Sequence, residues 1–165
     1  MKKILLAIMV VATLYVASCK PESLKDYETS SAFNLSSLQG TWKLSKVTQR
    51  DEDAARKGFP YKDLDITNAL GQTQVVLTLN LNAGAPGTYT INYGTGAKLL
   101  KVGNGNWILD DVNKPGQLNL ASPTDTAKLV LGSYANLLNN KLVVVQKKYY
   151  NGKEAITYNY EFSKN

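Results

Sequence analysis

From Leu38 onward, apolar residues recur at every second position in short runs, with Gly, Asn and Pro between the runs. Side chains on an extended chain point alternately to opposite sides, so this alternation marks strands with one dry face. Read this way, the sequence predicts strands at Thr41–Gln49, Thr73–Leu81, Thr88–Tyr93, Lys98–Val102, Asn106–Asp110, Gln117–Ala121, Ala127–Gly132, Lys141–Tyr149 and Ala155–Ser163. No apolar stripe of helical period is long enough for a substantial helix; Asp53–Lys57 and Tyr134–Leu138 allow one turn each. Short sequential strands with tight turns and no long crossovers predict an all-β fold. The expected architecture is an antiparallel up-and-down meander closed into a barrel of about 8–10 strands.

Two Asn-Gly pairs set the expected registers. Asn104-Gly105 is a type I′ turn signal, and a two-residue loop there pairs Val102 with Trp107 and Leu100 with Leu109 on one face. Asn151-Gly152 gives a second such turn, pairing Val145 with Tyr158, Val143 with Tyr160 and Lys147 with Ile156. Gln146, Thr157, Asn159 and Glu161 then lie on the opposite, wet face. A three-residue loop with a bulge would instead turn Leu142, Val144, Gln146 and Lys148 inward, with Lys148 opposite Glu154. The first register is the expected one.

The N-terminal pattern differs. Lys2 and Lys3 precede Ile4–Val16, thirteen nearly uniformly apolar residues. A helix needs ~20 residues to span a bilayer, so the length and the charged flank read as a signal peptide. The run ends in Val16-Ala17-Ser18-Cys19, at the single cysteine of the chain. This segment resembles the lipobox of bacterial lipoproteins, whose cysteine receives the lipid. The resemblance implies a signal peptide over 1–18, acyl chains such as palmitate on Cys19, and membrane attachment through them. No Asp stands directly after Cys19, which favours the outer membrane; Lys20 and Glu22 leave the leaflet open. Residues 19–37 are expected to be the lipidated N-terminus and a polar tether, and 38–165 the barrel domain.

The chain has 165 residues, 44% hydrophobic and 19% charged, which fits one globular domain with a tail. With one Cys and no His, an internal disulfide framework and histidine-based catalysis are excluded. The 13 acidic residues fall mostly in the tether, in the loop after the first strand and near turns. Asp110 and Asp111 are adjacent and face opposite ways on an extended chain, so no paired-carboxylate hydrolase is expected. Asp51-Glu52-Asp53 lacks the Gly and distal Glu of a calcium loop. The sequence therefore predicts no enzyme, no catalytic residues, no cofactor and no metal. Net charge falls from +6 to +4 without Lys2 and Lys3, and no basic block interleaves with aromatics, so no nucleic-acid partner is expected. The chain is expected to be a monomer.

Leu38-Gln39-Gly40-Thr41-Trp42-Lys43-Leu44 resembles the first-strand Gly-x-Trp signature of lipocalin-like barrels. Gly105–Asp111, Ile156–Phe162 and Arg56–Asp63 resemble small Bacteroidota lipoproteins with a lipocalin-like domain, a family whose function is not assigned. The resemblance spans about residues 38–165 and implies a lipocalin-like, or calycin, barrel whose base is closed by Trp42. In lipocalins an Arg near the last strand packs over that Trp; here the only arginines are Arg50 and Arg56, both early.

A barrel of this size holds either its own side chains or one small ligand. The expected function is an outer-membrane-anchored binding protein for a small hydrophobic or amphipathic ligand, lined by Trp42, Tyr89, Tyr93, Trp107, Tyr158 and Tyr160. Lys147 and Tyr149, two residues apart on the penultimate strand, resemble the carboxylate-anchoring pair of fatty-acid-binding proteins. Phe59 and Tyr61, in the long segment Arg50–Leu70, are candidates for a lid or a plug. Asp125-Thr126-Ala127 fits a short O-glycosylation pattern on Thr126. The alternative is a surface or periplasmic module with a solid core, contacting glycans or proteins through Phe59, Tyr61 and Tyr134.

Overall fold

Alternating side chains produce strands that must curl to bury their apolar faces together. The computed structural model describes residues 33–165. The signal segment 1–18, Cys19 and tether residues 20–32 lie outside the described residues. Nine strands form one antiparallel sheet: β1 (Gly40–Asp51), β2 (Asp63–Asp65), β3 (Val76–Asn82), β4 (Ala85–Asn92), β5 (Asn104–Leu109), β6 (Gln117–Ala121), β7 (Thr126–Leu131), β8 (Lys141–Tyr150) and β9 (Lys153–Lys164). Their order is β2-β1-β3-β4-β5-β6-β7-β8-β9, and β1 also pairs with β9. Eight strands thus close into a barrel, and β2 adds to the far half of β1. Two short helices match the expected turns. In α1 (Glu52–Arg56) the Asp51 carboxylate accepts the N–H groups of Asp53 and Ala54; in α2 (Tyr134–Leu138) Ser133 Oγ accepts that of Ala135.

The floor of the barrel is built on Trp42, which is fully buried and whose indole N–H donates to Leu38 C=O at 2.8 Å. Lys164, near the end of β9, lies 5.1 Å above the Trp42 ring and donates to Ser37 C=O. A partly buried contact of this kind contributes ~1 kcal/mol. Residues 33–37, expected as tether, are part of the domain. Leu35–Ser37 forms a short 3-10 helix, Leu38 is fully buried, and Phe33 packs against Tyr134 at 5.2 Å.

Four expectations are corrected. Lys98–Val102 is not a strand; Leu100 and Val102 are buried from an irregular connection between β4 and β5. Asn104-Gly105 is not a turn but opens β5, where Gly105 pairs with Tyr89, so the Val102–Trp107 and Leu100–Leu109 pairs do not form. A side chain at Gly105 would collide with the Ala121 carbonyl, and glycine in a strand interior marks such close backbone approach. The segment after β1 contributes β2, which carries no apolar alternation and was not expected.

The fourth correction concerns which face of β8 is dry. Asn151 and Gly152 do form a two-residue turn, both with positive φ, between Tyr150 and Lys153. The register then shifts between Lys148 and Tyr149: Tyr149 pairs with Glu154 and Lys148 with Ile156, leaving Ala155 as the extra residue. A single extra residue flips every side chain beyond it. Leu142, Val144 and Gln146 are therefore buried, while Val143, Val145, Lys147 and Tyr149 face outward. The β9 face is as expected, with Tyr160 and Phe162 buried and Tyr158 against the core.

Replacing Gly105 by Ala forces a methyl group onto the Ala121 carbonyl. We expect destabilisation of at least about 2 kcal/mol, read from urea unfolding; a change below a few tenths would show that the β5–β6 approach is not tight.

Candidate functional site

The wall is weakest between β7 and β8, whose ladder has two paired positions, Val130–Val145 and Leu131–Val144. On the floor side it is continued by the Gly132 N–H donating to Val143 C=O. Toward the rim, the next hydrogen-bonded position would set Lys128 directly against Lys147. Like charges directly opposite each other destabilise a strand pair, and the ladder ends there. β7 nevertheless stays paired with β6 as far as Thr126–Ala121, and β8 with β9 as far as Tyr150–Lys153.

Where the two strands part lies an open cleft of about 420 Å³, lined by Gln117, Thr126, Lys128, Val130, Gln146, Lys147, Lys148 and Tyr149. Consecutive strand residues point to opposite faces, yet four consecutive residues of β8 line this one cleft. The cleft therefore lies along the unpaired edge of β8, where residues of both its faces meet the outward residues of β6 and β7. The same ladder geometry aims the backbone N–H and C=O groups of Lys128, Lys147 and Tyr149 into it.

The charges at the cleft are unequal. Lys147 donates to Glu154 at 3.0 Å, and that hydrogen bond raises the lysine pKa and lowers that of the carboxyl, which also accepts from the Thr157 hydroxyl. Lys148 is half-buried on the inner face; burial lowers its pKa, and the charge of Lys101 adds to the effect while Asp125 opposes it. Among the described residues no salt bridge reaches Lys148 or Lys128. Behind them Gln146, 4% exposed, accepts from the Tyr160 hydroxyl at 3.3 Å. Burial pushes the Tyr160 pKa far up, so this hydroxyl stays protonated.

The other expected site residues are distributed differently. Trp42, Tyr89, Trp107 and Tyr160 are fully buried in the barrel centre, with Leu77, Leu79, Leu118, Leu120 and Phe162 around them. The Trp107 indole N–H donates to Asn80 C=O and the Tyr93 hydroxyl to Val102 C=O; the Tyr89 hydroxyl is buried without a partner among the described residues. These side chains occupy the middle of the barrel. Lys147 and Tyr149 meet Thr126 at the outer lip of the cleft, and Tyr158 lies near its inner side beside Tyr160. Phe59 and Tyr61 do not cover the rim: Tyr61 is 95% exposed, and it is Ile66 and Thr67 that enter the barrel from that segment, with the Thr67 hydroxyl accepting from Val47 N–H. Cys19 lies outside the described residues.

The acidic groups are occupied locally. Asp51 caps α1, Glu52 pairs with Arg50, and Asp53 pairs with Lys57 and Arg56. Asp110 and Asp111 accept backbone N–H groups of the β5–β6 turn. Among the described residues no three His, Cys, Asp or Glu side chains converge as a metal site.

Sequence reasoning missed Lys128 and Gln117 and placed Gln146 on the wet face. The signal for Gln146 was the bulged register, in which it and Lys148 turn inward. Substituting Lys128 by Thr removes the opposed charges and favours the strand. We expect the β7–β8 ladder to extend by one pair, slowing hydrogen exchange at the Lys147 amide and adding about 0.5 kcal/mol of stability; unchanged exchange would show that charge does not hold the strands apart. No protein-family model matches the chain, and no curated protein matches it significantly.

Proposed function

We propose that this chain is a lipid-anchored, lipocalin-like barrel that binds one small amphipathic ligand through the β7–β8 cleft. The observation that carries this reading is that both faces of β8 line a single opening. A volume of about 420 Å³ falls within the range of small-molecule sites, ~300–1,000 Å³. Val130 and Tyr149 offer apolar surface at the lip, and Gln146 and Lys148 offer polar groups further in. The filled centre argues for a guest held in the wall and not along the barrel axis. The anchor rests on the sequence around Cys19, and the outer membrane is the location it favours.

A second reading draws on different residues. Phe59, Tyr61 and Leu64 are 56%, 95% and 60% exposed on the segment after β1, as a protein- or glycan-contacting module would have them. Tyr134 does not join them: it packs on Phe33 and donates its hydroxyl to Pro115 C=O.

Native mass spectrometry of protein incubated with lipid extract separates the two readings. We expect one adduct per chain, lost when Val130, at the exposed lip, is replaced by Trp. No adduct, together with loss of partner capture in a Phe59→Ser/Tyr61→Ser variant, would favour the second reading. For the anchor, labelled palmitate is expected on the wild-type chain and absent from Cys19→Ser; label retained in that variant would remove the lipobox reading.

A further inference from the structure

We propose that the β7–β8 cleft selects an amphiphile with an anionic head group, seated between Lys128 and Lys148. The inference rests on the cleft being the binding site and adds the charge of what it binds. Among the described residues, three lysines and no carboxylate line the cleft. Glu154 neutralises one of them, Lys147, from the β9 side. Lys128 on the outer lip and Lys148 on the inner face remain without an acidic partner among the described residues.

The two lysines reach the opening from different strands and opposite faces of the wall, so an anion entering between them is approached from both sides. The backbone N–H groups of Lys128, Lys147 and Tyr149 face the same space and are donors that an acidic oxygen accepts. Gln146, 4% exposed, and Gln117 supply side-chain amides at its edge. Apart from Glu154 on Lys147, Asp125 acts on Lys148 through its charge, and its carboxylate accepts the Thr126 N–H at 2.7 Å. A partly buried ammonium without a counter-ion is an unfavourable arrangement that an incoming anion relieves. A cationic head group would meet only repulsion here. A carboxylate and a phosphate share the required chemistry, and lysine, a compact point charge, accepts either.

The test is a titration of the purified full-length chain with decanoate, decyl phosphate and decan-1-ol, followed by amide shifts of Lys128, Gln146, Lys147 and Tyr149 in NMR. At least one of the two anions is expected to shift these amides, with decan-1-ol about tenfold weaker or more, the worth of one charge-assisted hydrogen bond. Lys148→Met should bring the affinity for the anion down to that for the alcohol, and raising the salt should weaken anion binding alone. If Lys148→Met does not fold, Lys128→Gln carries the same comparison from the outer lip. A stronger response to decanoate than to decyl phosphate, or the reverse, identifies which acid the site takes. Equal binding of acid and alcohol at these amides would overturn the anionic inference and leave the cleft as a site. No shift with any of the three, or shifts confined to other residues, would overturn both.

Discussion

Along nine positions, from Trp42–Lys164 to Asp51–Ile156, the first strand of the barrel is hydrogen-bonded to the last. This seam brings together residues more than a hundred positions apart in the chain, and it removes the two exposed edges that an open meander would carry. The apolar faces of β1 and β9 also meet here, with Leu44 beside Phe162 and Val47 beside Tyr160. The irregularity at Ser45 is part of the seam. It lets Leu44 and Val47, three positions apart, both face inward, and Ser45 Oγ donates to the Glu161 carbonyl at the extra position. Without closure, the buried aromatic column of Tyr158, Tyr160 and Phe162 would lose one wall.

The barrel is therefore governed by parity as much as by hydrophobicity. One unmatched residue at Ser45 and another at Ala155 decide which side of β1 and β8 is dry. The second also shapes the cleft. It turns Gln146 and Lys148 inward and sends Lys147 outward, to the same side as Lys128. Pairing of β7 with β8 fails where those two lysines would meet, and the inner residues come within reach of the opening. The ladder ends at the one rung where two lysines and the inner-face register coincide.

Much of this was legible in the sequence. Alternation located the ends of β6 and nearly those of β7, β8 and β9, and the two expected helical turns fall within one residue of α1 and α2. Trp42 in a Gly-x-Trp setting marked the closed end. What was not legible depended on atoms distant in sequence. The two Asn-Gly pairs are locally identical, yet one forms a turn and the other opens a strand, because only Gly105 lies against the Ala121 carbonyl. β2 has three exposed residues and no pattern of its own; it is a strand because β1 extends beyond β3 and offers an edge. The cleft was half visible: Lys147, Tyr149 and Thr126 were singled out, and the bulged register that turns Gln146 and Lys148 inward was open as the alternative, but alternation on both faces of β8 could not choose between the two. The cation over Trp42 was sought among arginines and is a lysine.

At the Trp42 end, Leu38 accepts from the indole and Lys164 reaches back to Ser37, so the chain enters the domain and finishes its last strand at the same pole. The connections after β4, β6 and β8 all lie at the opposite pole. A pull applied at Leu38 is thus resisted first by Trp42, one of the fully buried side chains of the domain, and by the strand that closes it. The distal turns, and the half of β8 that bounds the cleft, lie outside that line of force.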